Sequence, residues 1–240
     1  MFIVTNSNST PIIGLKTSTD LNIIKRIDKV KRQNRLPDHL QEFTDCFGEM
    51  GSFKKKHHIY YDQNIQPTVN PPRRVPYTLE GKLKKELHRM VDLGIITPVH
   101  EPTQWVSNIV CVEKADGSLR VCIDPRDLNK AIRRTQRKLP TTEEILAKLS
   151  EGKVFTKLDF SSAYWQIPLD EESSKLLTFN TPFGRFRFLR MAFGIKSASD
   201  ICQQYVEEMI EGIEYTLNDQ DDIILWSSNE EKLIQVKKKS

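Results

Sequence analysis

Three aspartates carry the first chemical signal in this chain of 240 residues. Asp221 and Asp222 stand side by side in "LNDQDDIILW" (217–226), with Asp219 two positions earlier. Like charges this close repel one another, and a chain tolerates them at a solvated turn or around a bound cation. Asp159 ends "KVFTKLDF" (153–160), a run with the pattern of a short strand. If that strand neighbours the one after the doublet, Asp159, Asp221 and Asp222 converge at one edge of a sheet. Carboxylates without sulfur or imidazole partners suit a hard cation, Mg²⁺ or Mn²⁺, rather than zinc. Mg²⁺ held by carboxylates and substrate phosphates serves phosphoryl transfer, where a pair of ions stabilises attacking and leaving oxygens together. The competing reading is a polar bend, because Asn and Asp favour turns. These residues alone leave both readings open, and the bend is the simpler.

The elements that must position the acids can be read from pattern. "QPTVNPPRRVPY" (66–77) holds four prolines and should be extended. A helix follows, with Thr78 as cap, Leu79, Leu83, Leu87 and Met90/Val91 at helical spacing, and Gly94 as stop. "WVSNIVCVEKADGSLRVCID" (105–124) reads as a hairpin, since apolar β-formers flank the turn signal Asp116-Gly117. A helix over about 141–150 is capped by Thr141 or Thr142, with Glu143 and Glu144 in its first turn. "DEESS" (170–174) is helix-like, and a second hairpin spans 175–191 around Pro182-Phe183-Gly184. "SASDICQQYVEEMIEG" (197–212) is an amphipathic helix with Ser197 as cap and Gly212 as stop; "IEYTL" and "DIILW" make a third hairpin across the acidic turn. Hairpins mixed with helices point to an α+β fold with an antiparallel sheet.

Composition narrows the function classes. No apolar stretch approaches the roughly 18 residues of a membrane span, and the start lacks the layout of a signal peptide, so no membrane partner is expected. Cys46, Cys111, Cys122 and Cys202 are scattered and form no CxxC pair, which speaks for buried thiols and against zinc. The net charge is only +4, but Lys and Arg cluster at 54–56, 73–74, 133–138 and 237–239. Such clusters suit a polyanion through phosphate neutralisation, or are solvated surface.

From about residue 57 to 235 the sequence resembles the reverse transcriptase of gypsy-type LTR retrotransposons. The resemblance is carried by "PPRRVPYTLEGKLKKELHRMVDLGIITPV", "SNIVCVEKADGSLRVCIDPRDLNKAI", "LPTTEEILAKLSEGKVFTKLDFSSAYWQIPLDEESSKLLTFNTPFGRFRFLRMAFGIKSASDICQQ" and "LNDQDDIILW", in the family's order. It implies a right-hand polymerase fold of fingers and palm with an antiparallel palm sheet, the fingers lying before Asp159 and the thumb absent. Asp159, Asp221 and Asp222 match the catalytic, metal-binding acids, with Mg²⁺ or Mn²⁺ as cofactor. Tyr164 matches the aromatic that packs under the incoming sugar and excludes a 2′-hydroxyl; without the motif it reads as a core aromatic. Arg120 matches a side chain that grips the triphosphate, with Lys114 assisting, though a hairpin Arg is usually solvated. Phe193 and Gly194 match a segment lining the nucleotide pocket, which otherwise reads as strand-to-helix packing. Arg126 and Asn129 match residues near the template. The chain departs from the family at Asp219, where an aromatic is common, and at Ala192, Ser199 and Asp200, in a segment that usually holds two prolines.

The resemblance implies RNA-directed DNA synthesis on an RNA or DNA template with primer, from deoxynucleoside triphosphates. Residues 1–26 resemble the C-terminal end of a retropepsin-like aspartic protease, without a DTG or DSG triplet; 27–65 read as linker and 66–240 as truncated fingers and palm. The chain is thus expected to be a slice of a Pol polyprotein whose thumb, RNase H and integrase lie elsewhere. The expected location is intracellular, cytoplasmic in a virus-like particle or nuclear. The alternative is a catalytically inactive, truncated nucleic-acid-binding remnant. A metal-dependent nuclease is disfavoured, because no HNH, PD-(D/E)xK or DEDD-like spacing appears.

Overall fold

In the computed structural model the chain divides into two compact units, Met1–Gly48 and Glu49–Ser240. The structure describes residues of the second unit only: 50–114, 117–134, 141–150, 152–219, 222–229 and 232. The expectations for residues 1–26, for most of the linker, for Asp116 and for Asp221 lie outside the described residues.

The leucine spacing produces helix α1 (Tyr77–Asp92), which buries Leu83, Leu87 and Met90. Its start corrects the sequence reading. Pro76 holds the cap position without a side-chain cap bond, and Thr78 lies inside the first turn. Proline fixes φ near the helical value and has no N–H to satisfy, so the extended segment runs directly into the helix. Gly94, at φ +62°, ends it as expected, while the Ile95 N–H donates back to Met90 O at 2.9 Å.

Strand β1 (Ile96–Val99) follows. It pairs antiparallel with β6 (Gly184–Phe188), which pairs in turn with β5 (Thr178–Thr181). The hairpin β2 (Asn108–Glu113) and β3 (Leu119–Asp124) is joined to this sheet by a parallel bridge between Ser107 and Phe179. Helix α2 (Arg126–Ala131) follows β3 directly. Helix α3 (Thr142–Leu149) begins with a complete capping box between Thr141 and Glu144. Next come β4 (Val154–Asp159), a 3-10 turn (Ala163–Gln166) and α4 (Glu171–Leu176), capped by the Asp170 side chain. After the β5–β6 hairpin, α5 (Ala198–Ile210) leads into β7 (Thr216–Asp219) and β8 (Asp222–Ser227). Ser197 precedes α5 as expected but makes no side-chain cap bond. The third sheet has the order β4-β8-β7. The three sheets among the described residues are antiparallel, as the mixing of hairpins with helices predicts.

Residues 50–65 correct the linker expectation. They form an extended strap: Phe53 N–H donates to Gln166 O and His57 N–H to Pro168 O, each at 2.8 Å. Arg133 N–H donates to Tyr60 O, and Asp62 N–H to Ala131 O, again at 2.8 Å. Ile59 is fully buried, and Phe53, Tyr61 and Ile65 pack on the core. Few apolar residues in a polar stretch leave no periodic signal, yet an extended chain needs only a few anchors and main-chain partners. The strap therefore ties the 3-10 turn to α2.

The core is one cluster around Phe179, Phe188, Met191 and the apolar face of α1, with Phe179 and Phe188 rings 5.2 Å apart. Arg190 lies at its margin. Its guanidinium donates to Trp165 O at 2.9 Å, Gly94 O at 3.3 Å and Gly51 O at 3.4 Å. Burial pushes its pKa below the usual arginine value. One cation thus pins the 3-10 turn, the end of α1 and the strap.

Candidate nucleotide and metal site

Strand pairing decides where the acids meet. β4 and β8 run antiparallel from Val154↔Ser227 to Asp159↔Asp222, so these two aspartates are direct partners at one end of the sheet. The β7–β8 turn closes on the same residue through Asp219↔Asp222. Partner residues in such a ladder lie about 4.5–5.5 Å apart at Cα and project to the same face. The register thus sets Asp159 opposite Asp222, the second member of the doublet, at one end of the sheet.

The two acids differ in setting. Asp159 is exposed along the alternating face of β4, whereas the Asp222 side chain is 20% exposed. Lys157 Nζ stands 2.5 Å from Asp222 Oδ2. Asp222 Oδ1 is buried and has no hydrogen-bond partner among the described residues. A buried anionic oxygen without a donor is costly unless a cation or water supplies the missing interaction. Oxygen donors with one coordination position open fit a hard divalent ion such as Mg²⁺ or Mn²⁺. No group of three His, Cys, Asp or Glu forms a metal cluster among the described residues, to which the third expected acid does not belong.

Beyond Asp159 the chain turns through Ser162, at φ 57°, into the 3-10 turn, which buries Ala163 and Trp165 and leaves Tyr164 half-buried. The Tyr164 ring lies 5.0 Å from that of Phe193, and its hydroxyl is 3.1 Å from Ser199 Oγ. The Arg120 guanidinium sits 5.6 Å from the same Phe193 ring, within cation–π range. Tyr164, Phe193 and Arg120, distant in sequence, thus form one aromatic and cationic surface. Lys114 is exposed where β2 leaves the sheet, its N–H closing the hairpin turn on Ser118 O.

Gly194 seats this surface. At φ +102° it accepts a conformation few side chains adopt, and a Cβ there would lie 2.8 Å from Ile123 O and 3.2 Å from Pro125 Cδ. The side-chain amide of Asn129 clamps the same loop, donating to Gly194 O at 2.9 Å and accepting from Lys196 N–H at 3.0 Å. Asn129, expected near the template, therefore has both ends of its amide engaged within the protein. Arg126 is 74% exposed and makes a two-pronged contact with Asp124, at 2.9 Å on each side; Arg73 reaches the same carboxylate at 3.0 Å. These residues wall a polar depression of about 270 Å³ together with Asp127 and Lys130. Hydrogen bonds from Lys130 and then Asn70 hold the Asp127 carboxyl below the usual range. A wider depression of about 420 Å³, lined by Lys148, Glu214, Tyr215 and Trp226, lies toward the other end of β8 from Asp222.

Three contacts escape sequence reasoning. Lys157 reaches Asp222, Ser199 reaches Tyr164, and Arg134 pairs with Asp200 at 2.7 Å. Asp200 is buried, so Arg134 supplies the charge that an acid in this helix start requires. A lysine two residues before Asp159 on the same strand face was the available signal for the first contact. Nothing local announces the other two.

The same arrangement of helices and sheets occurs in solved reverse transcriptases. Prototype foamy virus protease-reverse transcriptase superposes with a TM-score of 0.73 at 22% identity, covering 85% of this chain and 29% of that one. The foamy viral protease-reverse transcriptase in complex with double-stranded DNA gives 0.74 at 16% identity, covering 93% and 44%. The reverse transcriptase (RNA-dependent DNA polymerase) family profile matches residues 112–239, and the chain belongs to that family. Among relatives, an uncharacterized protein of Caenorhabditis elegans is 35% identical over 182 residues, 75% of this chain and 14% of that protein. The enzymatic polyprotein of figwort mosaic virus is 32% identical over 68% of this chain and 25% of its own length. The retrovirus-related Pol polyprotein from transposon 297 of Drosophila melanogaster is 29% identical over 88% of this chain and 22% of its own length. The chain thus spans a quarter or less of each of these three relatives.

Proposed function

We propose that this chain is the fingers-and-palm part of the reverse transcriptase of a gypsy-type LTR retrotransposon Pol polyprotein, and that it carries out RNA-directed DNA synthesis. The reading rests above all on the register that sets Asp159 opposite Asp222, with a buried carboxylate oxygen lacking a partner. Asp159 and Asp221 would hold two Mg²⁺ ions, or Mn²⁺, with Asp222 in support. Bound there, the ions supply the positive charge that activates the primer 3′-hydroxyl and offsets charge on the phosphates. The remaining chemistry is positioning. Arg120, with Lys114, neutralises the triphosphate of the incoming nucleotide; Tyr164 supports its sugar and excludes a 2′-hydroxyl; Phe193 and Gly194 form the pocket wall. Arg126 borders the template path, and Asn129 acts there through the loop it clamps. Partners are an RNA or DNA template with primer, deoxynucleoside triphosphates, and the thumb, RNase H and integrase of the polyprotein. An intracellular location, cytoplasmic in a virus-like particle or nuclear, follows from that reading.

Primer extension with Mg²⁺ and with Mn²⁺ tests it. Asp159→Asn and Asp221→Asn should each abolish extension while primer-template binding persists. Extension at the unsubstituted rate in either variant refutes the assignment. Binding without extension in the unsubstituted chain supports the other reading, a nucleic-acid-binding remnant, which the exposed Lys54–Lys56 run and Arg73 and Arg74 would serve.

A further inference from the structure

We propose that Lys157 is the resident counter-ion of the carboxylate edge: it holds Asp222 in the absence of a divalent cation and yields it when one binds, and so sets how tightly that edge takes the ion. The inference rests on the metal site proposed above.

Three observations carry it. Lys157 and Asp159 are two residues apart on β4 and project to the same, exposed face. Asp222 faces Asp159 directly, so Lys157 stands diagonally across the ladder from it, within the span of a long side chain. The ammonium makes that span, 2.5 Å from Asp222 Oδ2. The partners are unequally held: the Lys157 side chain is 62% exposed and that of Asp222 20%. The lysine can swing into solvent while the aspartate stays, and Oδ1 still lacks a partner when Lys157 is in place.

The charges give the direction of each effect. Carboxylates crowded at a strand end repel, and the ammonium offsets that repulsion without a metal. A divalent ion brings twice the charge and several coordination positions, so it displaces a single-point monovalent donor. The contact is then a competitor that the ion must remove. Taking away the ammonium while keeping the stem, as in Lys157→Met, should destabilise the metal-free protein and tighten cation binding. A contact serving only to hold the fold would weaken both.

The test uses the full 240-residue chain with Mn²⁺ as the probe, free ion being read by electron paramagnetic resonance and Tm by calorimetry without metal. Lys157→Met should bind Mn²⁺ about five-fold more tightly, the scale of one solvent-accessible ion pair, and should melt lower than the unsubstituted chain. Lys157→Gln should behave alike, and Lys157→Arg should stay close to the unsubstituted chain. In an Asp222→Asn background the gain in Mn²⁺ affinity from Lys157→Met should shrink. Unchanged or weaker binding in Lys157→Met, or a gain of undiminished size in that background, overturns the inference. A separate result overturns the metal site itself: Mn²⁺ binding indifferent to Asp159→Asn and Asp222→Asn, or absent from the unsubstituted chain.

Discussion

Gly194 joins fold to site most closely, and its replacement by alanine has a size that the structure sets. Two costs arise. Any L-residue at φ +102° is strained, by roughly 1–3 kcal/mol. The added Cβ would also lie 2.8 Å from Ile123 O and 3.2 Å from Pro125 Cδ, against backbone and a ring that cannot rotate away; relieving such crowding costs about 1–3 kcal/mol more. Gly184 separates the two. It has φ +113°, yet nothing lies within 4 Å of its Cβ position. Gly184→Ala should therefore show only the strain, and Gly194→Ala should lose roughly 2 kcal/mol beyond it. Urea unfolding, with m compared across the set, reads both. The loop also has to lift off the β3–α2 junction, stretching the Asn129 clamp and carrying Phe193 away from Arg120. Asn129→Ala, costly alone by about 1–3 kcal/mol, should cost less in the Gly194→Ala background. If Gly194→Ala is no more destabilising than Gly184→Ala, the loop has slack, and tight seating does not place Phe193.

Arg190→Met should lower stability by about 2–3 kcal/mol, because three carbonyls lose a charged donor and only part of the loss is recovered from guanidinium desolvation; a Tm within one degree of the unsubstituted chain would show that water replaces it. The strap should loosen in acid. Burial, then the neighbouring His58, holds the His57 pKa below 6.5, so the unfolded chain takes up its proton first and stability falls as pH drops from about 6.5 to the folded value. Burial raises Asp170, but hydrogen bonds from Ser173 and then His58 outweigh it and leave its pKa low. Its contribution is complete above the unfolded value near 3.8 and disappears as pH falls through the folded one. Hydrogen-exchange protection over residues 53–60, taken relative to the intrinsic rate at each pH, should fall between pH 6.5 and 5, and His57→Phe should flatten that response; an unchanged profile in the variant counts against the strap's histidine. Tyr164→Phe and Ser199→Ala should each cost about 1 kcal/mol, and the double variant no more than either. Full additivity in thermal unfolding would mean that the two hydroxyls do not act as a pair.

Sequence pattern went furthest where one face of an element is buried. The leucines of α1, the apolar β-formers of β2 and β3 and the capping residues of α3 each announce their element without outside help. β1 is unannounced because four residues, one of them Pro98, carry too little alternation, and its partner β6 lies far along the chain. The strap is illegible for a related reason: its partners are main-chain groups of Gln166, Pro168 and Ala131, which no side-chain pattern encodes. In the site, the strand-end position of Asp159 was readable, whereas the pairing of its strand with the one after the doublet stood only as a condition and the register Asp159↔Asp222 came from the structure. The engagement of Asn129 within the loop was not, since an amide that clamps and an amide that reads a template look alike in sequence. Lys157, Ser199 and Arg134 became visible only with their partners in place.

Strand β1 has a practical consequence for where this protein can be cut. The family profile begins at Val112, inside β2, and leaves out β1, α1 and the strap. A polypeptide excised at that boundary would bare one whole side of β6, Gly184–Phe188, with its unpaired amides and carbonyls beside a hole left by Leu83, Leu87 and Met90. Such an open edge invites a strand from another molecule, and the product would be insoluble aggregate. Recombinant work should keep at least everything from Met50 onward, where anchoring contacts are already present among the described residues.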